Sequence, residues 1–226
     1  MTSIYRQTLG DDFDRLHPEM QWRFGFSSAD ETCQIGTGVM DEVWHGPWWT
    51  MPFLLLGSTR RVLFPSRGRD IPFTVANYAY LDRYGRETVT WSRTFKFPRR
   101  YRIFDATMIH SEERDTIVDY LGTHQHLAVD IDCHVDDQGA MCIRSGEQRF
   151  HEGAISFRFP LALSGIATVR EWWDDDADRF RIEVHVANRL LGPLFGYRGS
   201  FTVAEHPCTD ADIPLAVRPL REEARE

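Results

Sequence analysis

From Ile71 to Val203, apolar and polar residues alternate along the chain, and turn-forming residues interrupt the alternation at short intervals. This period of two is typical of β-strands that bury one face and expose the other. An additional strand is predicted from Thr32 to Trp44, where two glycines indicate a bulge or a close approach of two backbones. The other predicted strands lie near residues 71–81, 87–97, 101–110, 115–121, 125–135, 140–145, 154–159, 166–173, 179–188 and 196–204.

The connections between these strands are short and polar, as in Asp136 to Gly139 and Asp174 to Asp178. Short connections favour antiparallel neighbours because parallel pairing needs a long crossover. A sheet of this width closes or curls, since an open sheet leaves its edge strands unpaired. The sequence therefore predicts a mainly β fold, an antiparallel lipocalin-like or cone-like β-barrel of about 8–10 strands with short N-terminal helices.

The two ends of the chain differ from its middle. Apolar residues recur every three or four positions from Tyr5 to Leu16, which predicts short helices. A chain of 226 residues is long enough for one large β-domain. We expect a single barrel domain over residues 1–208, with a helical segment at 1–28, and a loose polar tail over residues 209–226.

One segment, Pro47 to Leu56, is apolar on every side. It predicts either a helix buried deep in the fold or a lid over an opening. Trp48 and Trp49 lie in this segment directly after Pro47. A tryptophan pair on a proline-bounded loop is suited to covering the mouth of a cavity.

Charge and hydropathy limit the partners and the location. The net charge is −8, and the chain lacks any basic cluster beyond Arg60-Arg61 and Arg99-Arg100. Such a chain is a poor candidate for binding polyanions, so we expect neither nucleic acid nor membrane among its partners. Residues 3–10 lack the apolar run of a signal peptide, and no stretch approaches the ~20 apolar residues of a membrane span. These features predict a cytoplasmic protein.

The four cysteines follow no zinc-like spacing. If residues 136–139 form a four-residue hairpin loop, Val135 faces Ala140. In that register Cys133 lies opposite Cys142, close enough for a strained disulfide. Two reduced core thiols are the favoured interpretation for a cytosolic protein.

The strand predicted over residues 87–97 carries a cation on its apolar face. Arg93 shares that face with Val89, Trp91, Phe95 and Phe97. An unpaired buried charge costs several kcal/mol, so a guanidinium placed there needs a partner or a ligand. The interior of the barrel is therefore predicted to do more than fill space.

The next strand offers two groups for proton transfer. Asp105 and His110 lie on opposite faces of that strand, each among apolar neighbours. A buried carboxyl or imidazole near an arginine can donate or accept a proton. We hypothesise that Arg93, Asp105 and His110 are catalytic, with Arg93 orienting an anionic group and Asp105 or His110 moving the proton. The alternative is that these side chains form interstrand ion pairs on the solvated face.

Further aromatic and polar side chains are predicted to contact a ligand, since aromatic faces suit flat or apolar molecules. For most of the aromatic residues the alternative is ordinary core packing. The predicted ligand-binding residues are Trp91, Phe95, Met108, Arg158, Glu171, Tyr197, Trp48 and Trp49.

A metal site is a separate possibility that the favoured prediction leaves out. His124-Gln-His126 places two imidazoles on one side of an extended segment, with Asp130 on the same face and His185 on a later strand. The alternative is that both histidines are solvated or paired in the core. The chain has no dinucleotide-binding fingerprint and no nucleophile elbow. We therefore expect no metal and no organic cofactor.

Four segments spread over most of the chain resemble an uncharacterised bacterial family of domains of unknown function. These are Gly85-Arg-Glu-Thr-Val-Thr-Trp-Ser-Arg-Thr-Phe95, Arg102-Ile-Phe-Asp-Ala-Thr-Met108, Val118-Asp-Tyr-Leu-Gly122 and Gly192-Pro-Leu-Phe-Gly-Tyr-Arg-Gly199. Members of that family occur alone or fused C-terminal to NAD(P)-binding reductase-like domains. The resemblance implies a role beside the redox metabolism of small molecules and a possible reductase partner. It assigns no catalytic residue.

Together these features predict that the barrel binds a small, mostly apolar organic molecule. The protein would convert this molecule by cofactor-independent acid–base chemistry, as an isomerase, cyclase or lyase. One alternative is a non-catalytic ligand-binding or accessory module for a reductase. Another is a metal-dependent barrel enzyme that uses His124 and His126.

Overall fold

The structure is a computed structural model of the chain, and it describes residues 1–159 and 164–226. These residues form short α-helices, 3₁₀ turns and a large β-sheet. The helices are α1 (Ile4–Leu9), α2 (Pro18–Gly25) and α3 (Met51–Thr59). The strands are β1 (Thr32–His45), β2 (Gly68–Leu81), β3 (Glu87–Phe97), β4 (Arg100–Ser111), β5 (Thr116–Leu121), β6 (Leu127–Val135), β7 (Met141–Glu152), β8 (Ile155–Arg158), β9 (Ile166–Asp174), β10 (Arg179–Asn188) and β11 (Gly192–Pro207).

Ten of the strands form one closed antiparallel barrel. Around the barrel they follow the order β6-β5-β4-β3-β2-β1-β11-β10-β9-β7, and pairing between β6 and β7 closes the ring. Strand β8 lies outside the ring, paired with the last residues of β7. The predicted fold class is confirmed, since the short polar connections do join antiparallel neighbours.

The barrel has two chemically different ends. At the end that we call the lower end, the chain begins with α1 and α2. At the other end, the upper end, a long connection carries α3. Within the described residues, the upper connections are 46–67, 98–99, 122–126, 153–154 and 189–191, and the lower connections are 82–86, 112–115, 136–140 and 175–178.

The N-terminal helices plug the lower end. Ser3 caps α1, because its Oγ accepts the Arg6 N–H at 3.1 Å. His17 caps α2 in the same way, and Pro18 occupies the first turn, where its missing N–H costs nothing. The His17 N–H donates to the Gly139 carbonyl at 3.0 Å, which fastens the plug to the β6–β7 hairpin. The buried side chains of the plug are Ile4, Tyr5, Leu9, Phe13, Leu16, Met20 and Phe24.

Helix α3 covers part of the upper end and is not buried deep in the fold. Leu54 is fully buried, whereas Phe53 and Leu56 on the same helix are 49% and 70% exposed. The chain then turns inward, and the ring of Phe64 lies 5.1 Å from that of Phe95 and 4.9 Å from that of Phe195. Of the two predictions for this segment, the structure therefore supports the lid.

Strand β1 is the point at which the sheet is most tightly packed. A Cβ atom at Gly38 would lie 2.1 Å from the Ser200 carbonyl oxygen, so only glycine fits against β11 here. The register of β1 also shifts between Met40 and Glu42, as at a β-bulge. The sequence predicted a bulge or a close approach, and the structure contains both.

The register predicted for the cysteine pair is wrong. Val135 pairs with Met141 rather than Ala140, because the turn holds five residues instead of four. His134 therefore lies opposite Cys142, and Cys133 faces the barrel interior while Cys142 faces outward. Both cysteines are free thiols, and burial raises the pKa of the Cys133 thiol to about 12.

The C-terminal tail, which the sequence predicts to be loose, lies against the outside of the barrel. The Leu220 N–H donates to the Thr123 carbonyl at 2.8 Å, and the Tyr120 hydroxyl donates to the Arg225 carbonyl at 3.0 Å. Glu223 is 5% exposed. Among the described residues, no helix is both long enough and apolar enough to cross a membrane.

Candidate functional site

A cavity of ≈ 130 Å³ lies inside the barrel between the N-terminal plug and α3. Tyr5 of α1 and Phe53 of α3 both line it, and strand side chains form its walls. Most of the wall is apolar, with contributions from β3 to β7 and β9 to β11. The polar side chains of the wall are Arg93, Asp119, Ser145, Gln148 and the hydroxyls of Tyr5 and Tyr197.

Arg93 projects from β3 into this cavity. Its guanidinium carbon lies 4.5 Å from the centre of the Phe104 ring and 5.2 Å from that of the Trp91 ring. These cation–π contacts stabilise the charge only in part. The buried Nε has no hydrogen-bond partner, and no described carboxylate forms an ion pair with Arg93. The cavity therefore contains a cation with unused hydrogen-bonding capacity.

Asp119 projects into the same cavity from β5. Burial raises the pKa of its carboxyl from 3.8 to about 7, while the positive charge of Arg93 opposes the rise. The buried Oδ1 has no hydrogen-bond partner. At neutral pH this group can therefore either donate or accept a proton, the property expected of a general acid or base.

The strand register explains why Arg93 and Asp119 do not form an ion pair. Arg93 lies opposite Phe104 on β4, whereas Asp119 lies opposite Met108 on the same strand. Four residues along a strand span about 13 Å. The two ionisable groups thus face one cavity from strands on either side of β4, at different heights along the wall.

Three other polar wall residues already have partners. The Gln148 Nε2 donates to the Gly165 carbonyl at 2.6 Å, and the Ser145 Oγ accepts the Ala167 N–H at 2.7 Å. Tyr5 donates its hydroxyl to the Met108 sulfur at 3.6 Å. These contacts fix the wall, so Arg93 and Asp119 remain as the ionisable groups most available to a ligand.

A second buried polar cluster lies beneath the cavity, where α2 meets the barrel. The Arg23 Nε donates to the Glu171 Oε1 at 3.0 Å, and both side chains are almost fully buried. The Nη1 of Arg23 donates to Gln34 and Asn77. Burial raises the pKa of the Glu171 carboxyl, while Arg23 opposes the rise. This cluster joins the plug to the barrel wall.

Comparison with known proteins gives a family but no activity. Residues 16–201 match the family described as "Domain of unknown function (DUF4166)". The chain belongs to this family. It is also similar to the "Uncharacterized protein YndH" of Bacillus subtilis (strain 168), with 35% identity over 205 residues, covering 91% of this chain and 98% of the relative. No solved structure matches the chain. The family resemblance expected from the sequence is confirmed. Membership of the DUF4166 family assigns no catalytic or binding residue to this chain.

Four of the predicted site residues are brought together by the DUF4166 barrel. Arg93, Trp91, Met108 and Tyr197 all line the cavity. Phe95 and Glu171 are buried nearby but do not line it. Phe95 packs against aromatic rings of the core, and Glu171 belongs to the cluster beneath the cavity.

The other two predicted catalytic residues lie away from the cavity. Asp105 points outward from β4, where its carboxylate accepts hydrogen bonds from Arg61 at 3.0 Å and Ser92 at 2.8 Å. His110 faces the plug at the lower end, and its Nδ1 lies 2.9 Å from the Thr8 hydroxyl. Neither side chain meets Arg93.

The remaining predicted ligand residues are on the surface. The Arg158 side chain is 74% exposed and pairs with Glu147 at 3.1 Å. Trp48 and Trp49 are 80% and 51% exposed at the upper end. They lie beside α3, the helix that supplies Phe53 to the cavity wall.

The four residues considered for a metal site have separate partners. His126 pairs with Glu152 at 2.7 Å, and the Asp130 carboxylate is held by Arg114 and Arg149. His185 pairs with Glu183 on β10. Across residues 1–159 and 164–226, no group of three or more acidic, histidine or cysteine side chains is arranged to hold a metal.

Asp119 is the principal site residue that the sequence predictions missed. The strand Ile117–Leu121 alternates so weakly that either face could be the inner one, because Val118 and Tyr120 are as apolar as Ile117 and Leu121. The only local signal was a single carboxylate in an otherwise apolar strand. Arg93, which faces the same cavity, gave a clearer signal because the apolar and polar residues of its strand alternate strongly.

Proposed function

We propose that this barrel binds a small organic molecule with an apolar body and one anionic or carbonyl group. The observation that carries the proposal is an apolar cavity into which an unpaired guanidinium and a carboxyl with a raised pKa both project. Apolar cavities of about 150 Å³ can hold a molecule the size of benzene. A ligand with one ring or a short branched chain therefore fits the space.

The polar group of the ligand would bind Arg93, whose Nε otherwise stays without a partner. A carboxylate or carbonyl oxygen accepts hydrogen bonds from a guanidinium, and the low-polarity surroundings strengthen that contact. The apolar body would occupy the space between Met108, Val129 and Val184.

Asp119 gives this site a route to acid–base chemistry. An enol-forming isomerisation needs a base to remove a proton beside a carbonyl, a cation to stabilise the enolate oxygen and an acid to return the proton elsewhere. Asp119 can act as base and then as acid, with Arg93 as the cation. No co-reactant is consumed, so the site is compatible with a cofactor-independent isomerase.

Binding can be tested with two small fluorinated compounds, 4-fluorobenzoate and 4-fluorotoluene, observed by fluorine NMR. We expect both to bind the wild-type protein. Arg93→Met should weaken the binding of 4-fluorobenzoate by about tenfold or more, because one charge-assisted hydrogen bond is lost. The binding of 4-fluorotoluene should be nearly unchanged. Ala167→Phe, which fills the cavity, should abolish binding of both.

The matched control is Ala204→Phe, which adds the same ring to an exposed position on β11. This variant should bind both compounds as the wild type does. If neither compound binds the wild type, or if Ala167→Phe binds them unchanged, the cavity is not a binding site.

Catalysis has its own test. The wild type would be incubated with cyclohex-3-enone, and the formation of the conjugated isomer would be followed by its ultraviolet absorption. We expect catalysis that Asp119→Asn abolishes while 4-fluorotoluene still binds. Binding without any isomerisation would leave the protein as a binding module and reject the enzymatic part of the proposal.

The two alternatives receive less support. An accessory module for a reductase predicts that every ionisable group in the cavity is paired and that an apolar patch of the size of a partner lies outside. Atoms of Arg93 and Asp119 lack partners, which speaks against it, while the exposed apolar side chains at the upper end are compatible with it. The metal-dependent alternative needs a ligand cluster that is absent from the described residues. Elemental analysis of the purified protein tests it directly.

A further inference from the structure

Large apolar side chains gather at the upper end of the barrel and face solvent. The most exposed are Trp48 at 80%, Leu190 at 72% and Leu56 at 70%. We call the group an apolar rim, and its members are Trp48, Trp49, Phe53, Leu56, Leu190 and Leu191. The Gly46 N–H donates to the Leu194 carbonyl at 2.8 Å, so the two connections that carry the rim lie side by side.

The rim includes a segment without charge. Residues 47–57 contain no charged side chain, and α3 directs apolar residues toward water as well as toward the barrel. A helix on the surface of a folded protein normally has a polar outer face. An exposed apolar patch of this kind marks an interaction surface, because removing it from water is favourable.

Charge is divided sharply between the two ends. The upper connections contain arginines and no acidic residue, whereas acidic residues outnumber basic ones in the lower connections. The upper residues are Arg60, Arg61, Arg67, Arg99 and Arg189. The lower acidic residues are Asp82, Glu112, Glu113, Asp115, Asp136, Asp137, Asp175, Asp176 and Asp178.

We propose that the upper end docks on the surface of an anionic lipid bilayer. Tryptophan and leucine side chains would enter the interface below the headgroups, and the arginines would contact lipid phosphates. The acidic lower end would point away from the bilayer, which gives the barrel a single orientation. This proposal does not depend on what the cavity binds.

A second copy of the chain fits this surface poorly. Pairing two upper ends would bring Arg60, Arg67, Arg99 and Arg189 of one copy toward the same four arginines of the other, and no acidic residue lies in these connections to offset the repulsion. Arg61 is left out because it is already paired, with Asp105. A bilayer with anionic headgroups supplies the missing negative charge and an apolar layer together.

The proposal departs from the expectation that an acidic chain avoids membranes. That expectation rested on the net charge of −8 and on two isolated basic pairs. The fold places both pairs, Arg60-Arg61 and Arg99-Arg100, in or beside the upper connections. The overall charge therefore does not describe the surface that would meet the bilayer.

The test is cosedimentation with vesicles of phosphatidylcholine alone and of phosphatidylcholine mixed with phosphatidylglycerol. We expect binding to the mixed vesicles that weakens as salt is added, with little binding to the neutral ones. Two double variants, Trp48→Ala/Trp49→Ala and Arg99→Glu/Arg100→Glu, should each bind at least tenfold more weakly. Vesicles with brominated acyl chains should quench the fluorescence of the wild type, and Trp48→Phe/Trp49→Phe should remove most of that quenching.

The matched controls change the lower end. Leu81→Ser removes an exposed apolar side chain there, and Arg179→Glu reverses an exposed charge, so both should bind as the wild type does. Circular dichroism and urea unfolding confirm that each variant is folded. If the wild type binds no vesicle, the proposal is wrong. It is also wrong if only the arginine variant loses binding, which indicates adsorption by charge without insertion of the tryptophans, or if the same variants break a dimer in solution.

Discussion

Two residues, Arg93 and Asp119, distinguish the barrel interior from an ordinary packed core. Arg93 lies over two aromatic rings and keeps an unpartnered Nε, and Asp119 keeps an unpartnered carboxylate oxygen. Buried polar atoms are nearly always paired in folded proteins, and unpaired ones carry a cost of about 1–3 kcal/mol each. In the proposed function, the ligand would supply hydrogen-bond partners to these two atoms.

Asp119→Asn is expected to make the stability of the protein less dependent on pH. The carboxyl has a pKa of 3.8 when unfolded and about 7 when folded. Between these values the folded state holds a proton that the unfolded state has lost, so wild-type stability falls as pH rises from about 4 to about 7. The fall is of the order of 4 kcal/mol, and asparagine removes it because an amide does not ionise.

Urea unfolding at several pH values across this window measures the effect. Asp132→Asn is the control, since Asp132 is an exposed carboxylate on β6. Its pH profile should follow that of the wild type. A profile for Asp119→Asn as steep as that of the wild type would contradict the assigned pKa.

Of the two ionisable residues in the cavity, the sequence predicted Arg93, which lies on a strand whose apolar and polar residues alternate strongly. On β3, Arg93 is flanked on its face by Val89, Trp91 and Phe95, so its inward direction follows from the pattern. On β4 the two faces are equally apolar, and the pattern could not choose between Asp105 and His110. The structure shows the reason, because Asp105 is covered by the chain around Arg61 and by the tail. Long-range covering of this kind leaves no mark on local periodicity.

At the scale of elements, the strands were predictable and the helix contacts were not. Strand β1 and the strands from β2 onward lie close to their predicted positions, since alternation and turn residues are local signals. Strand β7 continues to Glu152, seven residues past the predicted end, because its last residues pair with β8 instead of β9. The pairing of Arg23 on α2 with Glu171 on β9 joins residues 148 positions apart and could not be read locally.

Arg23 is expected to hold the N-terminal plug in the barrel. Arg23→Met should destabilise the protein by about 3–5 kcal/mol, because it leaves the Glu171 carboxylate buried without its partner. The double variant Arg23→Met/Glu171→Leu should recover at least half of that loss. Urea unfolding of the two single variants and the double variant gives the coupling free energy between the residues. Additive losses would show that the two side chains act independently.

At the scale of the whole molecule, the termini complete the fold. Strand β1 pairs with β11 along almost its full length, which joins the first and last thirds of the chain. The tail then crosses the outside of β4 and β5. Its carboxylate at Glu223 is held by Arg225 and Arg221, and hydrogen bonds from Arg225 lower the pKa of that carboxyl to about 2. Arg83 and Arg86 of the β2–β3 connection pair with Glu222 at 3.7 Å and with Glu226 at 3.6 Å, so the tail is fastened to the barrel by charge as well as by hydrogen bonds.

Ending the chain after Ile213 is expected to leave a folded but less stable barrel. The shortened chain loses the Glu223 N–H bond to the Gln125 side chain, at 2.7 Å, and the bond from the Tyr120 hydroxyl to the tail. Both hydrogen-bonding side chains on the barrel are nearly fully buried, so each lost hydrogen bond leaves a polar group that needs water as its new partner. At about 1 kcal/mol for each of these two buried hydrogen bonds, the truncation should cost about 2 kcal/mol, or about 6 °C in Tm.

Thermal and urea unfolding of the shortened and full chains measure this loss. Leu215→Ser is the control, because Leu215 is 84% exposed and its replacement should change neither midpoint. The part of the stability loss that comes from removing the Glu223 carboxylate should also disappear at low pH. A carboxyl with a pKa lowered from 4.5 to about 2 stabilises the folded state above about pH 4.5 and ceases to do so as the pH falls toward 2. The difference between the two chains should therefore narrow at low pH, and equal midpoints at neutral pH would mean that the tail contributes nothing to the stability of the barrel.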